Sequence, residues 1–367
     1  MDINFHGPIN SLGYGVVSKN IIKSLDKLGH RVTLFTMGQV QVESQEDNFL
    51  IQKMIDRQKS FSSNAPSLTI WHQFDLPYKI GNGPSYVFPI FELDRLTERE
   101  VHHLEWHDGI FTTCHWFADV LEQYPSLIGK VHIAPLGVDT DIFSPNFGLN
   151  LADNVTTFLN VGKLEVRKGH KELVEAFNRA FTEKDNVRLW MMCYNPFFTH
   201  ELNNGRDLNK EFIDWAHSTP LTNKIDFLIR VSTQKDLASI MCGVDCGVFP
   251  AKSEGWNLDL LEMMACGRQV ICTNYSGHTA FCNKQNASLI EIDTEEDAQD
   301  GKWFHGQGKW ACLEEYQITK LVEYMRNIHD KQKSRGRGSL FNAKGVETAQ
   351  KFTWENTAQQ IVKVLQK

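Results

Sequence analysis

The sequence predicts an α/β protein built from two parallel-sheet domains. Three observations carry that prediction. Short apolar runs alternate with amphipathic stretches, beginning with a strand at Asp2 to Phe5, a helix at Val16 to Leu28 and a strand at Arg31 to Phe35. That β–α–β order makes the paired strands parallel. Ser144 to Asp153 then shows little periodicity, and the same grammar restarts at Thr156. A chain of 367 residues is also long enough for two cores. The expected domains are 1–145 and 155–350, with the segment between them a linker.

Composition narrows the class. A hydrophobic content of 41% with 23% charged residues is ordinary for a globular chain, so no fibrous or disordered reading is needed. No run approaches the roughly 20 apolar residues that span a bilayer. The first residues, MDINFHGPINSLGYG, lack the charged-then-apolar pattern of a signal peptide. The eight cysteines are scattered, with no CxxC spacing. Reduced thiols and a cytoplasmic location are therefore expected. A net charge of −7 argues against a broadly basic nucleic-acid surface. Lys331 to Arg337 is a local basic stretch, expected as an exposed loop between two helices.

In the first half, the stretch from His6 to Gly15 carries three glycines and is expected as a loop. Gly13-Tyr14-Gly15 resembles the start of a dinucleotide fingerprint, but the third position is Ser18. The next strand also ends Phe35-Thr36-Met37, without the acid a ribose needs. No nicotinamide cofactor is expected. Strands at Ser67 to Trp71 and Ser85 to Pro89 end at His72 and just before Glu92, Asp94 and Arg95. Ligands bind beyond the carboxyl ends of such strands, so these four side chains are candidates to face a ligand. Thr97 to Glu105 is a polar helix. Gly109 to Thr113 is a strand, followed by a helix from Cys114 to Gln123 with His115 at its start. Val131 to Ala134 is the last strand of this half.

In the second half, Thr156 to Val161 is a strand that runs into Lys163, Lys168 and Gly169 before a helix from His170. Cations at a strand end suit an anion. Later strands are expected at Val187 to Cys193, at Ile225 to Ile229 before Arg230 and Val231, and at Cys246 to Phe249. A polar helix or excursion is expected at Asn204 to His217 and a helix at Thr233 to Met241. Pro250 to Gly277 is the organising stretch: a polar turn, a helix whose first turn holds Glu254, Gly255, Trp256 and Asn257, then a strand from Gln269 to Thr273. Leu258, Leu261, Met264 and Ala265 are expected on its buried face. The open N–H groups at the start of that helix form a site for phosphate. Glu254 and Glu262, eight residues apart, are expected about 12 Å apart along its axis. Carboxylates accept hydroxyl hydrogen bonds in fixed geometry, so a sugar–diphosphate–nucleoside fits between them. Leu313 to Ile328, Phe341 to Phe352 and Trp354 to Leu365 are further expected helices.

The motif E-G-W-N-L-x-L-L-E-M-M-A-C-G, from Glu254 to Gly267, resembles the donor-site signature of retaining GT-B glycosyltransferases of the family 4 type, the glycosyl transferases group 1. Pro135 to Phe143 resembles the family's P-x-G-V-D-x-x-x-F turn. The resemblance extends over nearly the whole chain. It implies two Rossmann-like domains facing across a cleft, the first for the acceptor and the second for the donor. It also implies that a C-terminal segment, 353–367, crosses back to the first domain.

The same resemblance supplies roles. Lys163 and Lys168 stand where the family contacts the donor diphosphate, with Lys163 in place of an arginine. Glu254 holds the sugar hydroxyls and Glu262 the ribose. Gly255, Trp256, Asn257 and Leu258 line the phosphates, and Gly13 and Gly15 approach them from the other domain. Val231 is a base contact and Arg230 lies near a phosphate. Where the family carries a histidine against the transferred sugar, this chain has Glu92, which joins Glu254 and Lys168 as a catalytic candidate. His72, Asp94, Arg95 and His115 are acceptor candidates. Asp139-x-Asp141 matches the metal motif of a different glycosyltransferase fold, but the turn accounts for it, and neither a metal nor a cofactor is expected.

The implied reaction moves a sugar from a nucleoside diphosphate sugar to a hydroxyl acceptor with retention. Residues 1–150 hold 11 Lys and Arg against 17 Asp and Glu, a net of −6, which favours a neutral sugar, polyol or protein acceptor over an anionic one. Transfer to a hydroxylated base in DNA is an alternative that rests on the Lys331 to Arg337 stretch. A nucleotide-sugar 2-epimerase shares the architecture, but the Glu254–Glu262 signature argues against it. A binding protein without turnover is the remaining alternative.

Overall fold

The computed structural model describes residues 1–145 and 154–366. The chain divides into two compact units, Met1–Val138 with Phe352–Lys367, and Asp139–Lys351. Most of the stretch read as a linker from Ser144 to Asp153 lies outside the described residues.

Unit 1 contains β1 (Asp2–Gly7), α1 (Gly13–Lys27), β2 (Arg31–Thr36), α2 (Gln45–Asp56), β3 (Ser67–Thr69), β4 (Ser85–Val87), α3 (Glu98–Glu105), β5 (Gly109–Thr112), α4 (His115–Leu121) and β6 (Val131–Ile133). Its six strands run parallel in the order β2-β1-β3-β4-β5-β6. On α1, Val17, Ile21, Ile22 and Leu25 recur at helical spacing and are buried. Thr97 starts α3 with a reciprocal capping box to Glu100, which satisfies two otherwise open N–H groups. The expected glycine loop is corrected here: Gly13 and Gly15 lie in the first turn of α1. Gly15 is needed because a Cβ would sit 2.4 Å from the Asn10 carbonyl oxygen, whereas a Cβ on Gly13 would meet nothing. The reason for Gly15 is packing within unit 1. Helix α2 was not foreseen; of its apolar residues only Ile51 and Met54 are buried, and Phe49 is exposed.

The chain returns to unit 1 at its end. Val138 N–H donates to the Phe352 carbonyl at 2.9 Å, and Thr357 Oγ1 donates to the Pro135 carbonyl at 2.6 Å. Helix α11 (Trp354–Leu365) then packs along α1.

Unit 2 contains β7 (Thr156–Val161), α5 (His170–Ala180), β8 (Val187–Met192), α6 (Leu208–His217), β9 (Ile225–Phe227), α7 (Gln234–Gly243), β10 (Cys246–Phe249), α8 (Leu258–Ala265), β11 (Gln269–Thr273), β12 (Ser288–Ile290), β13 (Glu295–Gln299), β14 (His305–Ala311), α9 (Glu315–Arg335) and α10 (Ala343–Ala349). Its parallel sheet runs β12-β11-β10-β7-β8-β9, with β7 buried along its length. Continuous burial is what a central parallel strand covered on both faces requires. Strands β13 and β14 form a separate antiparallel hairpin, which the sequence did not announce. Their burial is irregular, and Gly, Lys and Gln interrupt any alternation.

Two further expectations are corrected. Helix α8 begins at Leu258, with Asn257 as its N-cap, so Glu254 and Glu262 are not two turns apart on one helix. Its burial also runs nearly all round: Leu260, Leu261, Glu262, Met263, Met264 and Ala265 are buried, while Leu258 is half-exposed. The basic stretch is not a loop. Lys331, Lys333 and Arg335 lie on the last turns of α9, and Arg337 Nε pairs with the buried Asp245 carboxylate at 2.8 Å. Arg337 also donates to the Val155 carbonyl at 3.0 Å. That arginine ties the sheet to the end of α9, while Lys331, Lys333 and Arg335 are exposed.

Candidate functional site

In unit 2 the chain winds from β7 outward through β8 to β9, then returns to lay β10 on the other side of β7. The loops after β7 and β10 therefore diverge, and the gap between them is where open sheets take ligands. Lys163, Glu165, Arg167 and Lys168 come from the first loop, and residues 250–257 from the second.

These loops interlock through charge. Lys168 Nζ donates to Glu254 Oε1 at 2.6 Å, and Arg167 Nη1 donates to Glu254 Oε2 at 2.9 Å. Arg167 also reaches Glu165 at 2.7 Å and the Ser253 carbonyl at 3.0 Å. Lys163 Nζ meets the other oxygen of Glu165 at 2.8 Å and lies 5.5 Å over the Phe197 ring. Burial by itself would push the Glu254 and Glu165 carboxyls up, but the adjacent cations overcome it and hold both down at about 2. Lys168 is raised: burial and Arg167 oppose its charge, and Glu254, Asp259 and Glu165 together more than restore it. Burial and the neighbouring Lys168 lower the His170 imidazole to about 4, so it is a neutral donor to the Glu165 carbonyl.

Glycines make room for the cluster. Gly169 has φ +67°, and a Cβ there would lie 2.1 Å from the Pro250 carbonyl oxygen. Gly277 packs so tightly that a Cβ would come within 2.6 Å of the Glu254 carbonyl oxygen. Among the described residues, only Asn204, Asn257 and Ser276 are non-glycines at positive φ, and two of them flank Glu254. Ser276 Oγ accepts from the Glu254 N–H at 2.9 Å. Asn257 Oδ1 accepts from the Leu260 N–H at 3.3 Å, while its buried Nδ2 has no partner. Backbone held in this region costs about 1–3 kcal/mol per residue, and such strain gathers at working sites. The first-turn N–H groups of α8 ahead of Leu260 have no place in the helical ladder. The gap thus presents an ammonium, an amide donor and a helix start beside two fixed carboxylates.

Glu262 is also buried, but without such cations. Burial, together with Asp259 and Asp139, pushes its carboxyl well above the usual range. Burial likewise raises Asp259, which Arg230 and Lys168 partly offset. Arg230 is exposed just past β9 and Val231 is half-buried beside it. Gly255, Trp256 and Leu258 lie on the β10–α8 segment, with Trp256 buried against Phe281 at 4.9 Å. Asp139 Oδ1 accepts from the Asp141 N–H at 3.0 Å, so the D-x-D pair closes a turn.

Unit 1 has its own switch point, between β1 and β3. The Tyr14 ring lies tilted at 4.5 Å from His72 and 5.6 Å from Trp71, and His72 stacks on Phe74 at 5.0 Å. The Tyr14 hydroxyl donates to the Ile90 carbonyl at 2.6 Å and accepts its N–H at 3.1 Å. Glu92 is half-buried on the same loop. Asp94 and Arg95 pair with each other through two contacts of 3.1 and 3.2 Å. His115 is exposed at the start of α4.

Arg167 and Glu165 are the residues that sequence reasoning passed over. The signal was present as alternating charge in K-L-E-V-R-K, but a loop of alternating charge reads equally well as solvated surface.

Residues 145–301 match the family model described as Glycosyl transferases group 1. A D-inositol 3-phosphate glycosyltransferase of Corynebacterium urealyticum is 23% identical over 260 residues, covering 67% of this chain and 53% of that protein. The chain therefore spans about half the length of that relative. Among solved structures, sucrose-phosphate synthase from Thermosynechococcus elongatus superposes with TM-score 0.70 at 16% identity, covering 100% of this chain and 98% of that one. Anabaena HepE in complex with UDP and glucose superposes with TM-score 0.68 at 15% identity, covering 100% and 99%. The matched segment in unit 2 is thus similar to the glycosyl transferases group 1 proteins, and the whole chain has the two-domain GT-B fold.

Proposed function

We propose that the protein is a retaining, metal-independent glycosyltransferase that moves a sugar from a nucleoside diphosphate sugar to a hydroxyl acceptor. The observation that carries this reading is the Lys168–Glu254–Arg167 cluster at the unit 2 switch point, set beside the open start of α8. Breaking the sugar–phosphate bond builds charge on the leaving diphosphate. Lys168 keeps two further N–H donors beyond its bond to Glu254, and Asn257 Nδ2 and the first N–H groups of α8 add more. Lys163 and Arg230 extend the positive rim. Glu254, held ionised and oriented by two cations, accepts hydrogen bonds from the sugar hydroxyls. Glu262 accepts hydrogen bonds from the ribose hydroxyls. Val231 supports the base.

No side chain in the cluster is placed to serve as a covalent nucleophile with its own base. Retention then proceeds by front-face displacement: the acceptor oxygen bonds to the anomeric carbon on the face the diphosphate leaves. The departing phosphate oxygen takes the acceptor proton. UDP-glucose is the donor to test first, because HepE was solved with UDP and glucose. The test is a thermal-shift screen with UDP-, GDP-, ADP- and dTDP-sugars without added metal. A ligand at 100 times its Kd stabilises by about 2.7 kcal/mol. Stabilisation by one nucleotide, lost in Lys168→Ala, is expected. No shift with any nucleotide, together with no sugar transfer in any donor–acceptor mixture, would refute the proposal.

A further inference from the structure

We infer that the β13–β14 hairpin braces the Glu254 carboxylate, with Lys252, Glu295 and Glu296 as positioning residues for the transfer reaction proposed above. The role of Glu254 itself rests on that reading. The hairpin lies outside the main sheet of unit 2, and two strands alone are marginally stable. Its strands bury few apolar side chains, Ala298, Trp310 and Ala311. Polar ties therefore carry much of its docking, and they lead to the two turns that fix Glu254.

Glu295 and Glu296 are neighbours on β13, so their side chains leave opposite faces of the strand. Glu296 Oε1 accepts from Lys252 Nζ at 2.7 Å and from Trp310 Nε1 at 2.9 Å. Lys252 is only 7% exposed and also meets Glu172 on α5 at 3.0 Å. Its backbone is tied as well. The Lys252 N–H donates to the Arg167 carbonyl at 2.6 Å, and the Lys252 carbonyl accepts from the Ala311 N–H at 2.9 Å. Arg167 returns through its guanidinium to the Ser253 carbonyl and to Glu254, which closes a ring of hydrogen bonds around residues 252–254. On the other face of β13, the Tyr275 hydroxyl donates to Glu295 Oε1 at 2.8 Å. The next residue, Ser276, accepts the Glu254 N–H, and the Gly277 N–H donates to the Glu254 carbonyl at 2.9 Å. Adjacent carboxylates of one strand thus hold the turn that carries Glu254 and the turn that backs it. The hairpin tip adds a third tie: Lys302 Nζ donates to the Phe197 carbonyl at 2.6 Å, and Phe197 carries Lys163 over its ring. A reacting group displaced by about 1 Å can lose on the order of 100-fold in rate, so such a brace matters to the chemistry.

The experiment compares the full chain with Lys252→Met, Glu295→Ala, Tyr275→Phe and the double variant of the last two. Hydrogen exchange is followed along the chain, and calorimetry gives Kd for UDP and for UDP-glucose. In Lys252→Met, exchange across residues 251–257 should quicken at least tenfold while β7 and β8 keep their protection. UDP-glucose should bind at least tenfold more weakly and UDP less than threefold, because Glu254 meets the sugar and not the nucleotide. Glu295→Ala and Tyr275→Phe should shift both readouts the same way, and the double variant should be no worse than either single one. Glu295 is exposed, so its variant keeps the test valid if Lys252→Met folds poorly. Unchanged exchange at 251–257, equal quickening in β7 and β8, or equal weakening of UDP and UDP-glucose would overturn the inference. Failure of the wild-type chain to bind either ligand would instead strike the donor reading, while exchange at 251–257 still decides whether the hairpin holds Glu254.

Discussion

The two units are both six-stranded parallel sheets, wound in different strand orders, and they use their switch points in opposite ways. In unit 2 the gap between β7 and β10 is filled by interlocked charge, with Glu254 and Glu165 clamped by Arg167, Lys168 and Lys163. In unit 1 the gap between β1 and β3 is lined by clustered rings, Tyr14, Trp71, His72 and Phe74. The lesson is that the winding of the sheet sets where a ligand can sit, while the loop residues set which ligand it is. A charged gap stabilises a changing charge. An aromatic gap offers surface area and shape, with little response to charge.

The comparison predicts unequal costs of mutation. The largest effect is expected at Lys168. Lys168→Ala should lower kcat about 100-fold or more with a smaller change in donor KM, as loss of one preorganised charge donor does. Steady-state kinetics with the identified donor would show it, and wild-type kcat would break the contrast. Arg167→Leu comes next. It leaves Glu254 and Glu165 buried with fewer cations, which costs about 3–5 kcal/mol. Urea unfolding would register that loss, and a loss below 1 kcal/mol would mean the clamp is not structural.

Acid should separate the units more gently. Glu254 and Glu165 are depressed to about 2, so their stabilising contribution is complete above the ordinary carboxylate range near 4.5 and is lost as pH falls toward 2. Glu262, raised by burial, contributes in the other direction, its stability being present at low pH and lost as pH rises. Unit 2 should therefore lose protection before unit 1 between pH 4.5 and 2, read by hydrogen exchange resolved along the chain. Simultaneous loss in both units would argue against the ion cluster as the cause. A smaller effect belongs to Tyr14→Phe, which removes the hydroxyl that pairs both polar groups of Ile90 and should cost about 1–2 kcal/mol in chemical unfolding. The smallest is EDTA, which should leave transferase activity unchanged; activity lost to EDTA and restored by a divalent cation would overturn the metal-independent reading.

Legibility followed the same divide. Strands β7, β10 and β11 and helix α11 were readable because continuous apolar runs or a clear amphipathic period marked them. The roles expected for Lys168 and Glu254 lie on residues that do meet in space, because a motif names types at fixed spacing. The start of α8 was misplaced by four residues: Glu254 to Asn257 carry good helix-start chemistry, but the left-handed backbone at Asn257 is invisible until the chain is folded. The Arg167 bridge was missed because its partners are distant in sequence. In Lys331 to Arg337, a basic run read as solvated because nothing local reveals that Asp245 waits for Arg337.

The return of the chain at Val138 and Phe352 bears on the timing of synthesis. Unit 1 is begun first and finished last, since α11 emerges only after all of unit 2. Until then, the face of α1 that α11 covers has no cover. Unit 2 is one continuous stretch and can complete itself on the ribosome, which shortens the effective loop that unit 1 must close. A chain stalled or cut near residue 351 would thus carry a finished unit 2 and an unfinished, adhesive unit 1. Truncation before α11 should lower soluble yield far more than the loss of a dozen surface residues would suggest.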